Sequence, residues 1–181
     1  MHLILLAGLW LEASVWNATA AVLRGLGDDP VAVTLPGQGD GAPAATLQHQ
    51  VDAVLAAVDA SPEPPVVVGH SAACTLAWIA ADARPERVRA VVLVGGFPGS
   101  DGDAYADMLP VADGVMPFPG WEPFEGPDSA DLDDAARARF AAGITTSFQG
   151  STPNREWASA MPRTVPGTPG APDMESASDK G

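Results

Sequence analysis

The sequence predicts an α/β fold, a parallel sheet flanked by helices, on three observations. Short aliphatic and β-branched runs alternate with longer amphipathic ones through residues 1–100. Each apolar run stops on glycine or another small residue, as strands do at the carboxyl edge of a parallel sheet. The stretch Val66-Val67-Val68-Gly69-His70-Ser71-Ala72-Ala73-Cys74 passes from strand to sharp turn to helix, with a serine at the apex.

The elements follow in order. Leu3-Ile4-Leu5-Leu6, broken by Ala7-Gly8, is a continuous apolar run expected as a strand buried on both faces. After a loop from Gly8 to Glu12, Ser14 is the expected N-cap of a helix. Val15, Ala18, Val22 and Leu26 form its stripe, and Gly25 and Gly27 end it. Val31-Ala32-Val33-Thr34 reads as the second strand, and Pro36-Gly37-Gln38-Gly39-Asp40-Gly41 as a loop at its carboxyl end. Thr46 caps a helix whose stripe is Leu47, Val51, Val54, Leu55 and Val58, closing at Ser61-Pro62. The Val66 strand hands over to a helix from Ala72 to Ala83 that packs through Leu76, Ala77, Ile79 and Ala80. A turn at Arg84-Pro85-Glu86 precedes Val88 to Val94, expected as a fourth buried strand ending in Gly95-Gly96. Strands and helices alternating at this spacing make parallel βαβ units, which gather ligands over the carboxyl ends of the strands. Gly8, Gly39, Ser71 and Gly95 lie there.

Beyond residue 100 the pattern changes. Asp101 to Asp134 holds ten acidic residues and no Lys or Arg, interleaved with Met108, Met116, Phe118, Trp121 and Phe124. It reads either as a lid, apolar residues to the pocket and carboxylates to water, or as a solvated irregular loop. Leu132 to Phe140 reads as a short helix. From Gly143 onward Gly, Pro, Ser and Thr make up 20 of 39 residues, too little apolar surface to offset the entropy of ordering. The expected organisation is a core over 1–100, an acidic lid-like segment over 101–142 and a disordered tail over 143–181.

The 181 residues suit one domain, and 46% hydrophobic against 18% charged residues places the bulk among globular chains. A net charge of −14 argues against nucleic acid and anionic membranes, and for a small neutral or cationic substrate. The single Cys74 precludes an internal disulfide framework and reads as a small buried hydrophobe. Leu3 to Leu11 could pass for a secretory leader, but no Lys or Arg precedes it and Glu12 follows at once. No apolar run reaches the roughly 18 residues of a membrane span. A cytoplasmic protein is expected, with no cofactor or metal.

Gly69-His70-Ser71-Ala72-Ala73 approximates G-x-S-x-G, the nucleophile elbow, with Ala73 in the last small position. The bland alternative is a buried serine in an ordinary strand-to-helix turn. Leu3 to Leu9, Ser14-Val15-Trp16, Thr34 to Gly39, Gly69 to Ala73 and Arg84 to Val88 together resemble the α/β-hydrolase superfamily, over residues 1 to 142. The resemblance implies that Ser71 is the nucleophile and that the backbone amides of Leu9 and Ala72 form the oxyanion hole. It also implies an acid after a later strand, for which Asp101 and Asp103 stand after the fourth, and a histidine after the last strand. No histidine follows Ser71. His2 opens a strand at the opposite end, His49 sits on the polar face of its helix, and His70 should point away along the elbow.

The resemblance therefore implies an α/β-hydrolase fold that is C-terminally incomplete, and an esterase-type serine hydrolase that is weak or inactive in this form. A non-catalytic binding module and a fragment of a longer hydrolase are the alternatives. Family order sets the Leu3 and Val66 strands centrally and the Val88 strand at an edge, where self-association is expected. An elbow further predicts a positive φ at Ser71.

Overall fold

Four strands form one parallel sheet in the computed structural model, which describes residues 1–38, 45–99, 105, 116–127, 129–142 and 144. They are β1 (His2–Leu6), β2 (Asp29–Val33), β3 (Val66–His70) and β4 (Ala90–Val94), in the order β2-β1-β3-β4. Leu5 pairs with Ala32 on one side and Val68 on the other, and Val68 pairs in turn with Val92. Among the described residues β1 and β3 are central, as expected, and β4 is an outer strand.

The helices are α1 (Asn17–Gly25), α2 (Leu47–Ala60), α3 (Ala73–Ala83) and α4 (Asp134–Ala142). Because strand side chains alternate in direction, β1 and β3 feed two cores. Ile4, Leu6 and Val67 meet Val51, Val54 and Val58 of α2 and Leu76, Ile79 and Ala80 of α3. Leu3, Leu5, Val66 and Val68 meet Ala20, with Trp16 and Leu23 alongside. Ile4 and Leu6 are 0% exposed, and burying each stabilises the fold by about 1.5–3 kcal/mol.

The α2 stripe is as expected, with Leu55 half-buried. Thr46 caps it through a reciprocal box: Thr46 Oγ1 accepts from the His49 N–H at 3.3 Å, and His49 Nδ1 accepts from the Thr46 N–H at 3.2 Å. At its other end the Arg87 guanidinium donates to the carbonyls of Val58, Asp59 and Ser61, satisfying groups a helix terminus leaves open. Arg84 pairs with Asp59, whose carboxyl that hydrogen bond holds below the usual range.

Three local expectations change. Ser14 does not cap α1. It lies inside a 3₁₀ turn, Ala13–Trp16, where its hydroxyl donates to the Glu12 carboxylate at 3.4 Å. The helix packs through Trp16, Ala20 and Leu23, and Val15, Val22 and Leu26 are exposed. A 3₁₀ turn advances three residues per turn instead of 3.6, so a stripe counted from Ser14 falls out of phase. Second, β2 starts at Asp29 rather than Val31, its Pro30 tolerated on an edge strand. Third, β4 starts at Ala90 rather than Val88 and is not buried: Val92, Leu93 and Val94 are 43%, 36% and 40% exposed. An aliphatic run encodes a strand, but burial needs neighbours, and α3 packs on only one face of this one.

In the acidic segment Met116 is buried and Phe118 and Phe124 pack on the core, while Glu122, Glu125, Asp131, Asp133 and Asp134 are exposed. Asp133 accepts from the Ala136 N–H, so α4 begins at Asp134 rather than Leu132. The expectations for Gly39 to Gly41, Asp101, Asp103, Met108 and residues 145–181 lie outside the described residues. Among those described, no helix is long and apolar enough to cross a membrane.

Candidate active site

The site is built where β3 turns into α3. Val66 to Val68 extend the chain, and at Gly69 strand and helix approach so closely that a Cβ would lie 2.5 Å from the Ala73 carbonyl oxygen. Ser71 then takes φ +53°, a left-handed backbone that costs a non-glycine residue on the order of 1 kcal/mol or more. Its own amide donates to the Val94 carbonyl at 2.8 Å, and its carbonyl accepts from the Cys74 N–H at 3.0 Å. Two neighbouring loops close on the turn. A Cβ at Gly8 would lie 2.8 Å from Ser71 Cβ, and one at Gly96 would lie 2.5 Å from the Ser71 carbonyl oxygen.

Above Ser71 opens a cavity of about 420 Å³. Leu9, Trp10 and Leu11 of the loop after β1 line it, with Gly95 after β4, His70, and Phe118, Trp121, Phe124, Leu132 and Phe140 of the acidic segment. None of these is an Asp, Glu, Lys or Arg, and the segment's described carboxylates, Glu122, Glu125, Asp131, Asp133 and Asp134, are exposed. Trp10 shares the strained backbone of Ser71, at φ +64°; among the described residues no other non-glycine residue has positive φ. Its indole N–H donates to the Met116 carbonyl at 3.0 Å, and its ring meets Phe118 and Phe124 edge-on at 5.5 and 6.2 Å. Trp121 packs on Phe140 at 5.3 Å and under the Arg137 guanidinium at 5.2 Å, while Arg137 also donates to Ser129. Sequence reasoning missed Trp10 and Phe140. The available signal was Leu9-Trp10-Leu11, a large apolar run where a loop should be polar.

Leu9 therefore stands beside Ser71, and Ala72 directly follows it. Among the described residues neither amide donates to an acceptor in the protein. The three histidines lie otherwise engaged or off-line. His2 holds Asp29 at 2.9 Å at the far end of the sheet, and His49 serves the α2 cap. His70 turns its ring edge-on to Trp16 at 6.3 Å, on the α1 side of the sheet, and the residue borders the cavity. No hydrogen bond joins it to Ser71 among the described residues. Asp101 lies outside them. Cys74 is buried against the Gly69 carbonyl, and burial pushes its thiol pKa up.

Burial also lowers the His70 pKa, because the enclosed imidazole resists charging. The unfolded chain, with an ordinary value near 6.5, then binds the proton first. Stability is full above about pH 6.5 and is lost as pH falls toward the folded-state value. His70→Gln should flatten this acid limb in urea titrations below about pH 6.5; an unchanged slope would mean that another group carries it.

The profile of the alpha/beta hydrolase family matches residues 3–177. The chain belongs to the alpha/beta hydrolase family. The match runs past residue 142, where the motifs read from the sequence end. An extracellular alpha/beta-hydrolase from a Paenibacillus species superposes with TM-score 0.69 at 21% identity, over 81% of this chain and 66% of that one. A polyneuridine aldehyde esterase variant gives 0.64 at 15%, over 87% and 72%. A pyrethroid hydrolase from Sphingobium faniae gives 0.59 at 19%, over 90% and 76%. At such identities these likenesses establish the fold. This family member thus spans about two-thirds to three-quarters of those hydrolases. No curated protein is significantly similar in sequence.

Proposed function

We propose that this chain carries the nucleophile half of an esterase-type serine hydrolase site. The observation that carries the reading is Ser71 in a left-handed backbone at the β3–α3 turn, opening on the aromatic cavity. In that site Ser71 Oγ attacks the ester carbonyl while a general base, which no described residue is placed to supply, takes its proton, and the Leu9 and Ala72 amides bind the oxyanion. Collapse expels the alcohol and leaves an acyl-serine, which water hydrolyses to acid and free Ser71. An uncharged, aromatic-lined cavity suits a neutral apolar ester, and the ring faces also accept a cation. The esterase and pyrethroid hydrolase among the structural neighbours support this class. A non-catalytic binding module is the second reading, favoured by the three histidines' positions.

Covalent labelling tests it. A fluorophosphonate should label slowly and only at Ser71, with the adduct located by mass spectrometry and lost in Ser71→Ala. Labelling elsewhere, or none after prolonged incubation at high probe concentration, would favour the binding module.

A further inference from the structure

The loop that carries the Leu9 amide is a β-turn, Gly8-Leu9-Trp10-Leu11, closed by the Leu11 N–H donating to the Gly8 carbonyl at 3.2 Å. Trp10, its third residue, has φ +64°, whereas φ at Leu9 is not positive. Of the common turns closed by this bond, only type II has that pair of signs, and its third position ordinarily takes glycine or asparagine. A tryptophan there is held against its own backbone preference. Type I differs chiefly in that the central peptide, here Leu9–Trp10, is turned over, and it accepts nearly any residue.

What holds Trp10 comes from the acidic segment. Its indole N–H donates to the Met116 carbonyl at 3.0 Å, and its ring meets edge-on Phe118 and Phe124, which stack on each other at 5.9 Å. The ends of the turn are fixed as well. A Cβ at Gly8 would lie 2.8 Å from Ser71 Cβ and 3.0 Å from the His70 carbonyl oxygen, and Leu11 bridges Ile144 in an antiparallel pair. With both ends held, relaxation of Trp10 takes the form of the Leu9–Trp10 peptide turning over.

We infer that Trp10 is a positioning residue, through which the acidic segment holds the oxyanion turn in its type II form beside Ser71. Its catalytic consequence rests on the serine-hydrolase reading above. Released from Met116, Phe118 and Phe124, the turn relaxes to type I, and a peptide dipole on the cavity wall reverses next to the Leu9 amide. Misplacement of catalytic groups by about 1 Å costs on the order of 10²-fold in rate. Docking of the acidic segment thus does more than cover the cavity: it sets the turn that faces the nucleophile.

Two variants that both lose the indole test this. Glycine takes positive φ freely and alanine does not, so Trp10→Gly keeps the turn and Trp10→Ala releases it. A fluorophosphonate should label Ser71 roughly tenfold or more faster in Trp10→Gly than in Trp10→Ala, and in both more slowly than in the parent chain. Nuclear magnetic resonance reads the turn itself. The Overhauser effect between Leu9 Hα and the amide proton of residue 10, strong in type II and weak in type I, should be strong in the parent and in Trp10→Gly and weak in Trp10→Ala. Phe118→Ala should weaken it in the otherwise native chain. Equal labelling and equal Overhauser effects in the two position-10 variants would overturn the inference, and an effect unchanged by Phe118→Ala would overturn the part assigned to the acidic segment. Should Ser71 label in none of the chains, the serine-hydrolase reading fails, and the Overhauser contrast alone upholds or overturns the hold on the turn.

Discussion

Hydrolysis of p-nitrophenyl acetate by this chain should be feeble, and Ser71→Ala should change it little. The reason is that no histidine follows Ser71 in the sequence and, among the described residues, no hydrogen bond joins Ser71 to one before it. A serine hydroxyl at neutral pH is almost wholly protonated, and in a comparable Ser-His-Asp site loss of the base costs roughly 10⁶-fold in turnover. What survives, about 10³ to 10⁴ over water, comes from the oxyanion hole and from binding, neither of which needs the serine to be ionised. The chain's three histidines are placed against Asp29, in the α2 cap, and edge-on to Trp16. Turnover in the ordinary range of about 1 to 10³ s⁻¹, abolished by Ser71→Ala, would show that a base reaches Ser71 after all. His49→Ala and Asp101→Asn would then separate the α2 histidine, an acidic residue of the 101–142 segment and a base brought by another chain.

Gly96→Ala should destabilise the fold by about 1–3 kcal/mol, toward the upper end of what overpacking costs. The added methyl carbon would lie 2.5 Å from the Ser71 carbonyl oxygen and 3.0 Å from Ser71 Cα. Both are backbone atoms of a turn already held at φ +53° and bonded to Val94, so no side chain can swing aside. β4 must move off the turn or the turn must relax, and the second outcome would also unseat Oγ from the cavity. Gly25→Ala provides the opposite sign. Nothing lies within 4 Å of that position in α1, and alanine should add about 0.5–1 kcal/mol through helix propensity alone. Thermal or urea unfolding measures both. A Gly96→Ala chain as stable as its parent would mean that the loop after β4 does not clamp the turn.

Much of the fold was legible because its signals are local. The α2 cap needs only Thr46 and His49, three residues apart, and the aliphatic runs of β1 and β3 are buried on both faces as the patterning implies. Ser71 could be singled out because small residues on either side and a strand before it suffice to form the turn. The roles of Leu9 and Ala72 came through resemblance, since a backbone amide has no sequence signature.

What the sequence alone determined, then, was the strand–helix order, the elbow and the absence of a histidine after it. Tertiary structure decided the rest. Both Val15-Ala18-Val22 and Trp16-Ala20-Leu23 are helical stripes, and only docking on Leu3, Leu5, Val66 and Val68 chose the second. β4 is aliphatic throughout, yet its exposure depends on what lies beside it in the sheet. The cavity wall joins Trp10 to Met116, 106 residues later, and to Phe118, Phe124 and Phe140. Periodicity reports a residue's neighbours within a turn or two of chain, and contacts across such a separation exist only once the sheet has closed.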